Sequence, residues 1–181
     1  MINQKFELPT GECVRLIFGE TRVGERAMYL QGVRSGLLGA DEPEDKIHYE
    51  RNLKFGSIKL ACEAKSHAPH VDAVVSPPSS RNDADPYREA ILRILPPRTI
   101  DLTTNFSRNG SVKSGDAATT LSQLINNMSY APCGLESSIG SLVIVDDLIA
   151  QGKTVAALLD HIRHAGLKQS ADVTVVAIAL I

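Results

Sequence analysis

Two short runs, Leu142–Val145 and Val173–Ile181, are almost wholly apolar, and a stretch of helical spacing, Val155–His164, lies between them. Runs this short and this rich in valine and isoleucine read as buried strands. A strand, a helix and a second buried strand in succession predict a parallel pair joined by a helical crossover. The same alternation recurs upstream. Residues from about Lys46 to Ser66 read as a helix, with Leu53, Leu60, Ala61 and Ala64 on one face and Ile47 and Ile58 off it. Val71–Val75 reads as a strand and Pro86–Leu95 as a helix closed by Pro96-Pro97. Arg98–Thr103 reads as a strand, Asn105–Gly115 as a polar segment, and Asp116 to Met128 as a helix. From residue 46 onward the pattern predicts an α/β fold, a mostly parallel sheet with helices on both faces.

Residues 1–45 read differently. They are rich in glycine and hold short apolar runs such as Val14–Phe18 and Ala27–Leu30, then an acidic turn at Asp41–Asp45 with Pro43. We expect two or three strands there, forming a small β-rich hood or hairpin beside a core over residues 46–181. No repeat or low-complexity tract interrupts this division.

Composition bounds the function. The 181 residues are 43% hydrophobic and 22% charged, as in an ordinary globular protein of one domain. A net charge of −2 provides no general basic field for nucleic acid, and four scattered tyrosines (29, 49, 87 and 130) form no stacking platform for RNA. Cys13, Cys62 and Cys133 are odd in number and far apart, which fits reduced thiols better than a disulfide framework or a zinc site. Met1 opens a polar stretch with no apolar signal region, and no apolar run is long enough to span a bilayer, so a cytoplasmic protein is expected. His67/His70 and His161/His164 are each three residues apart but lack further ligands at zinc-site spacing, as does His48.

The functional signal lies where the first apolar run ends. Leu142-Val143-Ile144-Val145 leads into Asp146-Asp147, then Leu148-Ile149-Ala150-Gln151-Gly152-Lys153-Thr154, then the helix. A strand-to-helix loop gathers backbone N–H groups and suits a phosphate. Two acids just before it suit sugar hydroxyls or a hydrated cation. Gly152-Lys153-Thr154 also matches the end of a nucleotide-binding P-loop, but Asp147 stands where the first glycine of that motif belongs, and a carboxylate there repels a triphosphate. Acids at a strand end near a helix N-terminus are also common for stability alone.

The thirteen residues 142–154 resemble the phosphoribosyl pyrophosphate (PRPP) signature of type I phosphoribosyltransferases. The resemblance implies a glycosyltransferase of nucleotide metabolism that uses PRPP and Mg²⁺. It implies that Asp146 and Asp147 face the ribose hydroxyls. It implies that Ala150, Gln151, Gly152, Lys153 and Thr154 wrap the 5′-phosphate. Mg²⁺ would be held mainly by PRPP, with Asp146 or Asp147 reaching it through water. Two departures stand out: Gln151 replaces a usual Thr or Ser, and Lys153 replaces what is often a small residue.

The family keeps its pyrophosphate loop after the first sheet strand, where Ser76-Pro77-Pro78-Ser79-Ser80-Arg81 stands, so Ser79, Ser80 and Arg81 are the candidate pyrophosphate ligands. A mobile loop that closes over PRPP corresponds to Arg108–Gly115, with Arg108 and Lys113 as its cations. An ordinary Pro/Ser turn is the competing reading of the first stretch, whose place in the order of elements favours the functional one, and a solvated surface loop accounts equally for the second. The chain ends within its last strand, where purine and pyrimidine salvage members continue into a base-holding loop. In layout it is closest to small orphan or competence-associated members. The small-molecule acceptor is therefore unnamed, and its recognition falls to residues 1–45 or to a partner chain, a second copy included. A binding module that senses PRPP or a nucleotide without turnover is the alternative.

Overall fold

The computed structural model describes residues 2–21, 62, 65–78, 85–95, 97–110, 112 and 118–180. Among them are eight strands: β1 (Ile2–Glu7), β2 (Cys13–Thr21), β3 (Ala73–Val75), β4 (Ile100–Asp101), β5 (Phe106–Arg108), β6 (Met128–Tyr130), β7 (Ser141–Ile149) and β8 (Asp172–Leu180). Three helices have both ends among the described residues: α1 (Asp85–Ile94), α2 (Leu121–Asn126) and α3 (Lys153–His164).

Six strands make one sheet in the order β1-β2-β8-β7-β3-β4. β1 runs antiparallel to β2, and every other pairing in this sheet is parallel. The fold is thus a mixed α/β one with a mostly parallel sheet. β5 and β6 form a separate antiparallel pair.

The apolar runs explain the centre of the sheet. Leu142 and Ile144 of β7 join a core with Val155, Leu158 and Ile162 of α3, while Val143 and Val145 join a second core with Ile91 and Leu95 around α1. A strand buried on both faces needs apolar residues at every position, and β7 has them up to Val145. Each such side chain contributes about 1.5–3 kcal/mol of burial. α3 begins at Lys153, earlier than the apolar spacing indicates, and closes with Arg163 and His164 in its last turn, where cations favour the dipole.

The structure departs from the sequence reading in several places. β7 does not stop at the aspartates but continues to Ile149, because β8 keeps offering it ladder partners as far as Leu180. The strand expected over Arg98–Thr103 shrinks to β4, since the Asp101 Oδ1 accepts the Thr103 N–H at 2.9 Å and turns the chain into a 3-10 turn at Thr103–Asn105. The polar segment Asn105–Gly115 contains β5, whose Phe106 is buried against the Tyr130 ring with centroids 4.5 Å apart. Of the helix expected from Asp116 to Met128, the described residues 118–128 hold only α2. Thr120 and Gln123 form a capping box that starts it at Leu121, and Met128 already belongs to β6.

The described part of residues 1–45 is the β1–β2 hairpin, and β2 joins β8 in the main sheet. Ala27–Leu30 and Asp41–Asp45 lie outside the described residues, as does most of Lys46–Ser66, of which Cys62, Lys65 and Ser66 are helical. All three cysteines are free and exposed. No helix among the described residues is long and apolar enough to cross a membrane.

Candidate functional site

In a parallel sheet all carboxyl ends share one edge. Here that edge gathers the residues after β3, β4 and β7. β3 ends at Val75 opposite Ile144, so β7 runs on from Val145 to Ile149 with a strand neighbour on the β8 side only. The overhang carries Asp146 and Asp147.

Both aspartates are buried, at 9% and 7% exposure. One oxygen of each folds back on the chain: Asp146 Oδ1 accepts the Asp147 N–H at 2.9 Å, and Asp147 Oδ1 accepts the Leu148 N–H at 2.7 Å. Successive residues of a strand point to opposite faces. Leu142 and Ile144 face the α3 core and Val143 and Val145 the α1 core, but the facing changes phase across the two aspartates: Leu148 packs against the α1 core and Ile149 lies in the α3 core. Among the described residues no group of three or more His, Cys, Asp and Glu is placed to hold a metal. This donor set fits a hard cation that brings most of its oxygens with it, as Mg²⁺ does on a phosphorylated ligand.

After Ile149, Ala150 and Gln151 are exposed and Gly152 is buried. Gly152 sits in the left-handed region, at φ +67°, and is the N-cap of α3. Only glycine is comfortable there, and a second constraint reinforces the first. A Cβ on Gly152 would meet Phe6 Cε1 at 2.7 Å and Leu8 Cδ2 at 3.0 Å, so the hairpin of β1 backs the loop. The first ladder bond of α3 runs from the Ala156 N–H to the Gly152 carbonyl at 2.9 Å. The N–H groups of Lys153, Thr154 and Val155 precede that ladder and belong to the dipole-positive end. Thr154 is half-buried beside them. Lys153 donates from Nζ to the Thr119 carbonyl at 2.8 Å, which ties the loop to the residue before the α2 cap.

A second polar cluster lies at the exits of β3 and β4. Ser76, almost fully buried, donates its N–H to Thr103 Oγ1 at 3.0 Å. Arg88 of α1 donates from Nη1 to Ser76 Oγ at 3.1 Å, and its Nε lies 3.6 Å from Asp101 Oδ2.

The structure thus brings Asp146, Asp147, Ala150, Gln151, Gly152, Lys153 and Thr154 onto one strand–loop–helix unit. Arg108 lies on β5 and donates from Nη2 to the Val112 carbonyl at 2.6 Å, within its own loop. Ser79, Ser80, Arg81 and Lys113 lie outside the described residues. Phe6, Leu8, Arg88, Thr103 and Thr119 are absent from the sequence reading. Their roles depend on long-range contacts, and only Arg88 leaves a local trace, as a cation on an amphipathic helix.

No protein-family model matches the chain, and no curated protein matches it. Among solved structures, the chain is similar to a purine phosphoribosyltransferase from Pyrococcus horikoshii Ot3, at 13% identity and a TM-score of 0.43, over 70% of this chain and 81% of that one.

Proposed function

We propose that the protein binds PRPP together with Mg²⁺ and transfers the 5-phosphoribosyl group to a nitrogen nucleophile, with release of pyrophosphate. The observation that carries this reading is the unit made by β7, the loop at Gly152 and the N-terminus of α3. It combines a left-handed glycine, an amide-rich helix start and two buried acids one turn of chain upstream. In this reading the core is a type I phosphoribosyltransferase-like fold.

The residues take distinct tasks. Backbone N–H groups from Ala150 to Thr154, with the Thr154 hydroxyl, hold the 5′-phosphate. Asp146 and Asp147 accept from the ribose hydroxyls. Their charge also favours the oxocarbenium character that develops at the anomeric carbon. Ser79, Ser80 and Arg81 receive the pyrophosphate, and Arg108 and Lys113 supply further cations. Mg²⁺, when bound, neutralises pyrophosphate charge. Proton removal from the acceptor needs no dedicated protein base if the acceptor is itself acidic or a pyrophosphate oxygen takes the proton.

A second reading has one observation in its favour. Gln151 is exposed in the loop and offers an amide where the signature has a hydroxyl. The same fold then binds PRPP or a nucleotide as a sensor, without turnover.

Calorimetric titration of PRPP with and without Mg²⁺ tests both. Binding that Asp146→Asn/Asp147→Asn weakens at least tenfold is expected; no binding, or binding indifferent to the double substitution, removes the PRPP reading. Release of pyrophosphate across a panel of nucleobases and amines then separates enzyme from sensor.

A further inference from the structure

β1 is an edge of the main sheet, paired with β2 on one side. All of its residues but Phe6 are exposed. The Leu8 N–H bonds the Glu12 carbonyl at 2.8 Å, so the backbone of Leu8 faces the hairpin. Along an antiparallel edge strand the backbone groups of successive residues alternate between the partner and the open side. Those of Gln4 and Phe6 therefore face β2, and those of Asn3, Lys5 and Glu7 face outward. Among the described residues nothing bonds these outward groups. Asn3 Nδ2 lies 3.2 Å from His67 Nδ1, a side-chain contact that leaves the backbone edge open.

An open edge of this kind accepts another strand, and proteins guard such edges with proline, bulges, covering segments or lysine. β1 contains no proline, and its one lysine, Lys5, is matched on the same face by Glu7. That spacing suits a two-fold pairing of the strand with itself. Antiparallel neighbours that keep their faces are related by an axis perpendicular to the sheet. The axis passes through a residue, because opposite residues share a face. With the axis at Lys5, the two lysines oppose each other. With the axis at Gln4, Lys5 meets Asn3 and Glu7 passes the end of the second β1. With the axis at Phe6, Lys5 of each copy lies opposite Glu7 of the other, at the positions whose backbone groups face outward. Opposite charges so placed attract, and like charges repel. Pro9 then stands opposite Asn3 and, lacking an N–H, ends the pairing.

We propose that β1 pairs antiparallel with β1 of a second copy of this chain, about a two-fold axis at Phe6, so that two sheets join edge to edge with Lys5 opposite Glu7 on both sides of the axis. The pairing is independent of what the loop at Gly152 binds. It bears on that loop all the same, because Phe6, whose ring backs Gly152, lies on the axis.

Sedimentation velocity of the full chain over a dilution series reads the assembly, and a monomer–dimer equilibrium is expected. Lys5→Glu sets acid against acid at each crossing and weakens the dimer by at least about tenfold. Glu7→Lys does the same with two cations. The exchanged pair Lys5→Glu/Glu7→Lys restores the dimer to within about threefold of wild type. Both positions are exposed, so these substitutions leave the hairpin folded. Amide hydrogen exchange gives a signature particular to this edge: the Lys5 and Glu7 N–H groups gain protection as concentration rises, while those of Gln4 and Phe6, already turned to β2, do not. Wild-type protein that stays monomeric at every concentration, a dimer indifferent to Lys5→Glu, or an exchanged pair that stays monomeric overturns the proposal.

Discussion

At the scale of single residues, Gly152 and Glu136 make the sharpest demands. Gly152 is constrained twice, by its backbone angle and by the Phe6 and Leu8 side chains over it. Gly152→Ala costs on the order of 2–4 kcal/mol, combining left-handed strain with a clash, and Phe6→Ala in the same background recovers part of it. Urea unfolding monitored by circular dichroism measures both, with the midpoint falling and the slope unchanged. Glu136 stands outside the proposed site. Burial pushes its pKa up, but the Tyr130 hydroxyl at 2.7 Å, the backbone N–H groups of its own turn and of Cys133, and the Cys133 thiol outweigh it and hold the pKa at about 2, down from 4.5. Burial and that same carboxylate push the Tyr130 phenol up, so it stays a donor. A folded-state pKa below the unfolded value stabilises above about 4.5 and loses that contribution as the pH falls toward 2. The urea midpoint of the wild type therefore drops across that window more steeply than that of Glu136→Gln; parallel profiles would contradict the assignment.

At the scale of elements, length decides what local sequence can announce. α3, β7 and β8 were legible because each is long and its pattern is repeated within itself. β5, β6 and α2 are too short for a period to register, and each is held by something distant. α2 owes its start to the Thr120–Gln123 box and its seat to two contacts with α3, Lys153 Nζ to the Thr119 carbonyl and His161 Nε2 with the Ile125 carbonyl at 3.1 Å. The candidate site divides along the same line. The stretch from Asp146 to Thr154 was readable as one contiguous motif, whereas Arg88 and Thr103 acquire roles only when β3 and β4 lie side by side. Thr120→Ala should cost about 1 kcal/mol through the lost cap. Lys153→Met should leave exchange in β7 and β8 untouched and speed amide hydrogen exchange over residues 119–126. Unchanged exchange there would mean that the lysine does not brace α2.

At the scale of the molecule, stability is concentrated where the sheet is covered on both faces. Ile144 is fully buried in β7 between β3 and β8, whereas Ile100 is only half-buried on the last strand of the sheet. Ile144→Ala is expected to cost about 2–5 kcal/mol and Ile100→Ala less than half of that, as read by denaturant midpoints. The backing of Gly152 by Phe6 adds a consequence in time. β1 forms a wall for a loop far along the sequence, so the loop takes this shape only after the two distant segments have met across the sheet. A nascent or partly opened chain can build β7 and α3 and still lack the wall behind Gly152. On the proposed reading, a phosphate that tightens this loop also holds β1 against it, so ligand binding and the packing of β1 stabilise each other.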